Sequence, residues 1–135
     1  MTTAPAPNHF SGGRPLSGRS DLIVRAMRPD DVETLALLEG RVEESPWSAG
    51  NFLDSLNTGH LCLVVQSASA SASEAGLAAW AVASLVLDES ELLIIGTAPS
   101  MQRQGIGRAL LAELEAELAR RGASSVSYTH LTLPT

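Results

Sequence analysis

Ile94-Ile95-Gly96-Thr97-Ala98-Pro99-Ser100-Met101-Gln102-Arg103-Gln104-Gly105-Ile106-Gly107-Arg108 runs from the end of one regular element into the start of the next. It opens as the tail of an unbroken apolar run, Leu92-Leu93-Ile94-Ile95, as expected for a central strand covered on both faces. Pro99-Ser100-Met101 breaks that strand, and a loop with glycines at 105 and 107 follows. Beyond it Ile106, Leu110, Leu114 and Leu118 recur every four residues with Leu111 beside them, the stripe of an amphipathic helix over about 104–121. Arg120 and Arg121 suit the negative end of that helix, and Gly122 stops it. The first N–H groups of a helix have no internal partner and carry the positive end of the dipole. Glycine lets a ligand approach the backbone closely. A glycine loop feeding a helix start is therefore a phosphate site, and Arg103 and Arg108 can add charge from its sides. A bare Gly-x-Gly is more often a tight turn without a ligand. The buried strand before it and the long helix after it favour the ligand. The loop is neither a dinucleotide fingerprint nor a Walker loop, for it lacks the third glycine and the Gly-Lys-Ser/Thr ending.

Upstream, Leu22 to Met27 reads as a strand, and Arg28-Pro29-Asp30-Asp31-Val32-Glu33 opens a helix, with Asp30 as cap and Glu33 completing a box-like pattern. Val32, Leu35, Ala36, Leu38 and Val42 form its apolar face. Pro46-Trp47-Ser48 is a turn whose serine caps a second helix through about Leu56, ended by Asn57-Thr58-Gly59. Leu61 to Val65 is a strand. The Ser/Ala alternation from Gln66 to Gly76 reads as a loose, mobile hairpin loop. Leu77 to Leu87 is a long strand containing Trp80, and Asp88-Glu89-Ser90 is a turn. Residues 1–20 are rich in Pro, Gly, Ser and Thr, and read as a disordered leader in which His9 and Phe10 do nothing. The order is strand, two helices, three strands, helix and a possible last strand, which is mixed α/β.

At 135 residues the chain is one domain, and 44% hydrophobic residues suffice for a core. A net charge of −6 disfavours nucleic acid and attracts basic peptides over a distance. The single cysteine, Cys62, excludes an internal disulfide and fits a reducing compartment. No secretory start and no apolar run approaching about 18 residues point to a cytoplasmic protein that does not touch a membrane. No His, Cys, Asp and Glu set has metal-ligand spacing.

Gln102-Arg103-Gln104-Gly105-Ile106-Gly107 resembles the Q/R-x-x-G-x-G/A signature of the GNAT acyltransferase superfamily. Arg28-Pro29-Asp30-Asp31, Pro46-Trp47-Ser48 with Phe52, Leu87-Asp88-Glu89 and Leu92 to Leu111 are similar, in order and spacing, to one branch of it, the RimI-like N-terminal alanine acetyltransferases of bacterial ribosomal proteins. The resemblance covers roughly residues 22–122. It implies the GNAT fold, an α/β (α+β) arrangement of a mixed central sheet flanked by helices. It implies acetyl-CoA as co-substrate and a protein N-terminus, the alanine of a ribosomal protein, as acceptor. Ile95-Gly96-Thr97 would hold the pantetheine arm and thioester by backbone groups, with Gly96 and Thr97 standing where the family usually has Ala-Val. Arg103, Gln104, Gly105, Ile106, Gly107 and Arg108 would cradle the pyrophosphate, and an N–H near Thr97 would polarise the thioester carbonyl. In this family a neutral amine attacks the thioester directly, with a base and an acid assisting.

After Gly122 the resemblance fails. Thr129 stands where the branch has its general-base glutamate, and the segment carrying its acid tyrosine has no counterpart, so the C-terminal part reads as missing and 123–135 as an unrelated tail. Tyr128 and His130 tempt a replacement acid and base, but a joined-on sequence is the better reading. Glu91 is a candidate base acting through water, against the plainer reading of a solvated strand-end carboxylate. Trp47 could line the peptide groove, although a Trp after Pro is more often a packing anchor. Cys62 reads as a small core residue and His60 as exposed. The expectation is an N-acetyltransferase; the alternative is a catalytically inactive acyl-CoA-binding fragment.

Overall fold

The structure is a computed structural model that describes Phe10, residues 13–69 and residues 76–128. Six strands lie in chain order across one sheet: β1 (Arg14–Leu16), β2 (Arg19–Ala26), β3 (Leu61–Ser67), β4 (Leu77–Val86), β5 (Glu89–Thr97) and β6 (Ser125–Ser127). Neighbours from β1 to β5 are antiparallel, and β6 is parallel to β5. The parallel pair is reached through the crossover helix that such a connection requires. Helices α1 (Val32–Val42) and α2 (Ala49–Thr58) cover one face, and α3 (Ile106–Arg120) covers the other. No helix among the described residues is long and apolar enough to cross a membrane.

Strand alternation sorts the core. Leu61, Leu63 and Val65 of β3 and Ala79, Ala81 and Ala83 of β4 face α3, where they meet Ile106, Leu110, Leu114 and Leu118. Cys62, Val64, Trp80 and Val82 face α1 and α2, where they meet Val32, Leu35 and Phe52. The helical stripe expected in α3 is the buried one. Ser48 caps α2 by accepting from the Asn51 N–H at 3.1 Å, and Gly59 ends it in the left-handed region at φ 90°.

Several expectations need correction. Residues 14–20 are ordered in the sheet. Ser17-Gly18 is the turn of a β1–β2 hairpin, with Gly18 at φ 81°, and Leu16 and Phe10 are buried against the α3 face. Apolar residues spaced through a polar stretch were enough to attach it to the sheet. His9 lies outside the described residues. Asp30 does not cap α1. Asp31 is the buried carboxylate at that junction, because it is the one within reach of Arg25 on β2 and of the Arg28 N–H. The turn after β4 is tighter than Asp88-Glu89-Ser90, since Val86 pairs with Glu89 across Leu87 and Asp88. Leu87 takes φ 57° there. Gln66 and Ser67 extend β3, while 70–75 lie outside the described residues. β5 is not the middle of the sheet. β6 pairs only with Glu89, Ser90 and Glu91, so among the described residues β5 runs unpaired along that edge from Leu92 onward. The most continuously buried strand is β4, whose residues Leu77 to Ala83 are all buried. His60 is half-buried rather than exposed, which lowers its pKa, and its Nδ1 lies 3.4 Å from Ser55 Oγ. The possible last strand is present: Ser125–Ser127 forms β6, and Ser124 N donates to Asp88 O at 2.8 Å.

Two buried contacts fix the frame. Arg25 forks onto both Asp31 oxygens at 2.8 and 2.9 Å and donates to Gln66 at 2.6 Å. Burial pushes the Asp31 carboxyl up, but the Arg25 guanidinium and Arg28 N–H outweigh it and hold the carboxyl below its usual range. The second contact pairs Trp80 with Gly96 across β4 and β5. A Cβ on Gly96 would lie 2.4 to 2.7 Å from the indole, so only glycine fits over it.

Asp31→Asn leaves the Arg25 charge buried without its counter-ion and should lower unfolding stability at pH 7 by about 3–5 kcal/mol in urea titrations. Because the folded carboxyl is depressed, the wild-type contribution is complete above the ordinary Asp value near about 4 and fades as pH falls through the folded value. Equal acid slopes for variant and wild type would refute this. Gly96→Ala should cost about 1–3 kcal/mol through overpacking, and clearly less in a Trp80→Leu background. Additive costs across the four proteins would mean that the indole is not what excludes the methyl group.

Candidate functional site

Two glycines shape the junction of β5 and α3 for different reasons. Gly105 sits just before the helix at φ 77°, a left-handed backbone that suits glycine, and the space above its Cα is open. Gly107 lies in the first turn, where a Cβ would come 3.1 Å from Thr97 Oγ1. Its lack of a side chain brings the helix start against the strand end. Among the described residues no side chain caps α3, and no acidic residue occupies its first turn, so its leading N–H groups face outward with the positive dipole end. Arg103, also left-handed at φ 65°, and Arg108 are exposed, with no carboxylate paired to either among the described residues.

The exposed edge of β5 continues this surface. Ala98 N donates to Ala78 O at 2.8 Å, so Ala98 and Gly96 bond toward β4. By the alternation of an antiparallel ladder, the backbone groups of Ile95 and Thr97 point to the opposite, unpaired side. Consistently, Gln102 Nε2 reaches Thr97 O from that side at 3.3 Å. A cleft of about 480 Å³ joins strand edge to helix start. Ile95, Gly96, Thr97, Arg103, Gly105, Ile106, Gly107 and Arg108 all line it, with Val42 of α1 closing one wall. Gln104 does not line it. Its side-chain oxygen accepts from Arg19 Nη1 at 3.2 Å, so the N-terminal hairpin braces the loop from behind. Arg19 could have been suspected only by reading Ser17-Gly18 as a hairpin turn.

The other candidates lie elsewhere. Glu91 sits near the start of β5, paired in register with Ser84 and Ser127, four residues or roughly 13 Å along the strand from Ile95. Trp47 packs edge-on against Phe52 at 5.3 Å and is half-buried beside the α1–α2 core; it does not line the cleft. Its backbone N–H donates to Glu39 Oε2 at 3.2 Å, and Glu39 Oε1 accepts from Trp80 Nε1 at 3.0 Å. Burial raises the Glu39 pKa, against the pull of those two donors. Sequence reasoning passed over this carboxylate, although its position four residues after Leu35 places it on the apolar stripe of α1.

Tyr128 donates its hydroxyl to Glu115 on α3, and burial together with that carboxylate pushes its pKa up to about 12. It packs against the α3 side of the core and does not line the cleft. Thr129 and His130 lie outside the described residues. Cys62 is fully buried in β3, with its thiol pushed up to about 12 by burial, which suits a core residue and not a nucleophile. Among the described residues no group of three His, Cys, Asp or Glu could hold a metal ion.

The chain is 34% identical over 103 residues to the ribosomal protein bS18-alanine N-acetyltransferase of Escherichia coli strain K12, an alignment covering 76% of this chain and 66% of that protein. The crystal structure of the ribosomal-protein-S18-alanine N-acetyltransferase from Escherichia coli superposes with a TM-score of 0.68 at 30% identity, covering 78% of this chain and 64% of that one. A GNAT family acetyltransferase from Brucella melitensis, solved in complex with acetyl-CoA, has a TM-score of 0.60 at 24% identity, over 78% and 73% of the two chains. The chain thus spans just under two thirds of the length of its Escherichia coli relative. The sequence model of the Acetyltransferase (GNAT) family matches residues 30–134, and the mixed sheet flanked by helices matches the fold of its solved relatives: the chain belongs to the GNAT acetyltransferase family.

Proposed function

We propose that this chain binds acetyl-CoA in the β5–α3 cleft and acts in the cytoplasm as an N-acetyltransferase on a protein N-terminal α-amine, in particular the N-terminal alanine of a ribosomal protein. The observation that carries the donor half is the uncapped start of α3 opening onto the backbone edge of Ile95 and Thr97, which no strand covers among the described residues. The N–H groups from Gly105 to Arg108 would meet the pyrophosphate, with Arg103 and Arg108 neutralising its charge. The Ile95 and Thr97 backbone would pair with the amides of the pantetheine arm as an added strand would. The Thr97 N–H would stabilise charge developing on the thioester oxygen as the amine attacks. The acceptor is argued from the Escherichia coli relative, whose name specifies bS18 alanine.

The described lining of the cleft contains no carboxylate, imidazole or phenol. That favours, as a second reading, acyl-CoA binding without transfer. Calorimetry with coenzyme A, followed by mass spectrometry of an alanine-starting peptide incubated with acetyl-CoA, separates the two. Binding with transfer supports the enzyme, binding without transfer selects the second reading, and no binding removes both. Gly105→Glu places a side chain on a left-handed backbone, at about 1–2 kcal/mol, and sets a like charge against the phosphates. Coenzyme A affinity should fall at least about 100-fold, or roughly 2.7 kcal/mol. An unchanged Kd would exclude this loop as the cradle.

A further inference from the structure

Glu39 is 1% exposed on the apolar face of α1, and an isolated buried carboxylate is costly. Its two oxygens are divided between two segments of one apolar cluster. Oε1 takes the indole N–H of Trp80, the ring on which the Gly96 backbone rests. Oε2 takes the backbone N–H of Trp47, in the connection between α1 and α2. One turn further along the helix, Val42 forms a wall of the cleft. A single side chain thus ties the α1–α2 connection to the support beneath the donor strand, at 3.2 and 3.0 Å.

We infer that Glu39 is a positioning residue that holds α1, whose Val42 walls the cleft, at a fixed separation from the acyl-donor strand at Gly96. The inference rests on the proposed transfer reaction, in which amine and thioester must be held within a near-attack distance. The carboxylate suits this task because it accepts from two donors at once. An amide in its place accepts from one donor and presents its own N–H groups to the other. In Glu39→Gln the carbonyl would stay with Trp80, which is fully buried and would otherwise be left unsatisfied, and the half-buried Trp47 would be released.

The test uses the full chain, wild type and Glu39→Gln. Amide hydrogen exchange followed by NMR should show the Trp47 N–H exchanging at least tenfold faster in the variant, with the Trp80 indole N–H still protected. In peptide acetylation the acceptor KM should rise at least fivefold while the coenzyme A Kd from calorimetry stays within twofold. Unchanged Trp47 exchange would overturn the inference. So would an unchanged acceptor KM, or loss of coenzyme A affinity and acceptor KM in step, which marks general loosening. If the wild type transfers no acetyl, whether or not it binds coenzyme A, the proposed transfer falls and the positioning role with it, and the exchange result alone decides whether Glu39 tethers the connection.

Discussion

The close approach of Gly107 to Thr97 is the contact on which the arrangement of the cleft depends. A helix start has outward N–H groups wherever it occurs. They form a continuous surface with a strand edge only if the helix begins against the end of that strand. A Cβ at 107 would lie 3.1 Å from Thr97 Oγ1, tight enough that the junction would have to give by a few tenths of an ångström. The long stripe of α3 then holds the placement, since Ile106, Leu110, Leu114 and Leu118 are all buried against the sheet. Rigid packing behind the loop and an open backbone in front of it are two results of the same junction.

The opposite face of the sheet carries a second set of constraints. Trp80 and Gly96 exchange volume across paired strands: the largest side chain in the core faces the residue without one. The resemblance to the family leads one to expect alanine at 96, and glycine there is a small departure as a sequence. In the structure it is a steric necessity, created by a residue 16 positions earlier. The indole brings a polar N–H into an apolar layer, and Glu39 answers it. The pair leaves no unsatisfied buried side-chain atom among the described residues.

The parts that were legible in the sequence are those governed by local spacing. The α3 stripe, the Ser48 cap, the Gly59 stop and the apolar β3, β4 and β5 runs all follow from short-range periodicity or turn chemistry. So does the placing of Ile95 to Arg108 on one strand–loop–helix unit. What escaped depends on partners far away in the chain. Asp31, and not Asp30, is the buried carboxylate because Arg25 stands opposite it on β2. Glu39 is buried because Trp80, 41 residues later, supplies a donor. The hairpin over 14–20 was hidden by averaging composition across twenty residues, which dilutes Leu16 and Phe10 among polar neighbours. The place where β6 leaves β5 is also invisible to periodicity, since a strand reads alike with one neighbour or two.

Charge divides the two halves of the site in a way composition alone obscures. The chain carries −6 overall, which repels an anionic donor and attracts a cationic acceptor at long range. Much of its arginine is paired where it stands: Arg25 with Asp31, Arg14 with Glu113, Arg19 with Asp21, and Arg120 and Arg121 sharing Glu117. Arg103 and Arg108 flank the helix start without such partners among the described residues. At physiological salt the screening length is about 8 Å, so a phosphate already at the loop feels these two guanidiniums and the helix dipole more strongly than the distant carboxylates. On the proposed function, donor recognition would be a contact effect that survives an unfavourable net charge. Acceptor recruitment would be a field effect that the same net charge assists and that added salt screens.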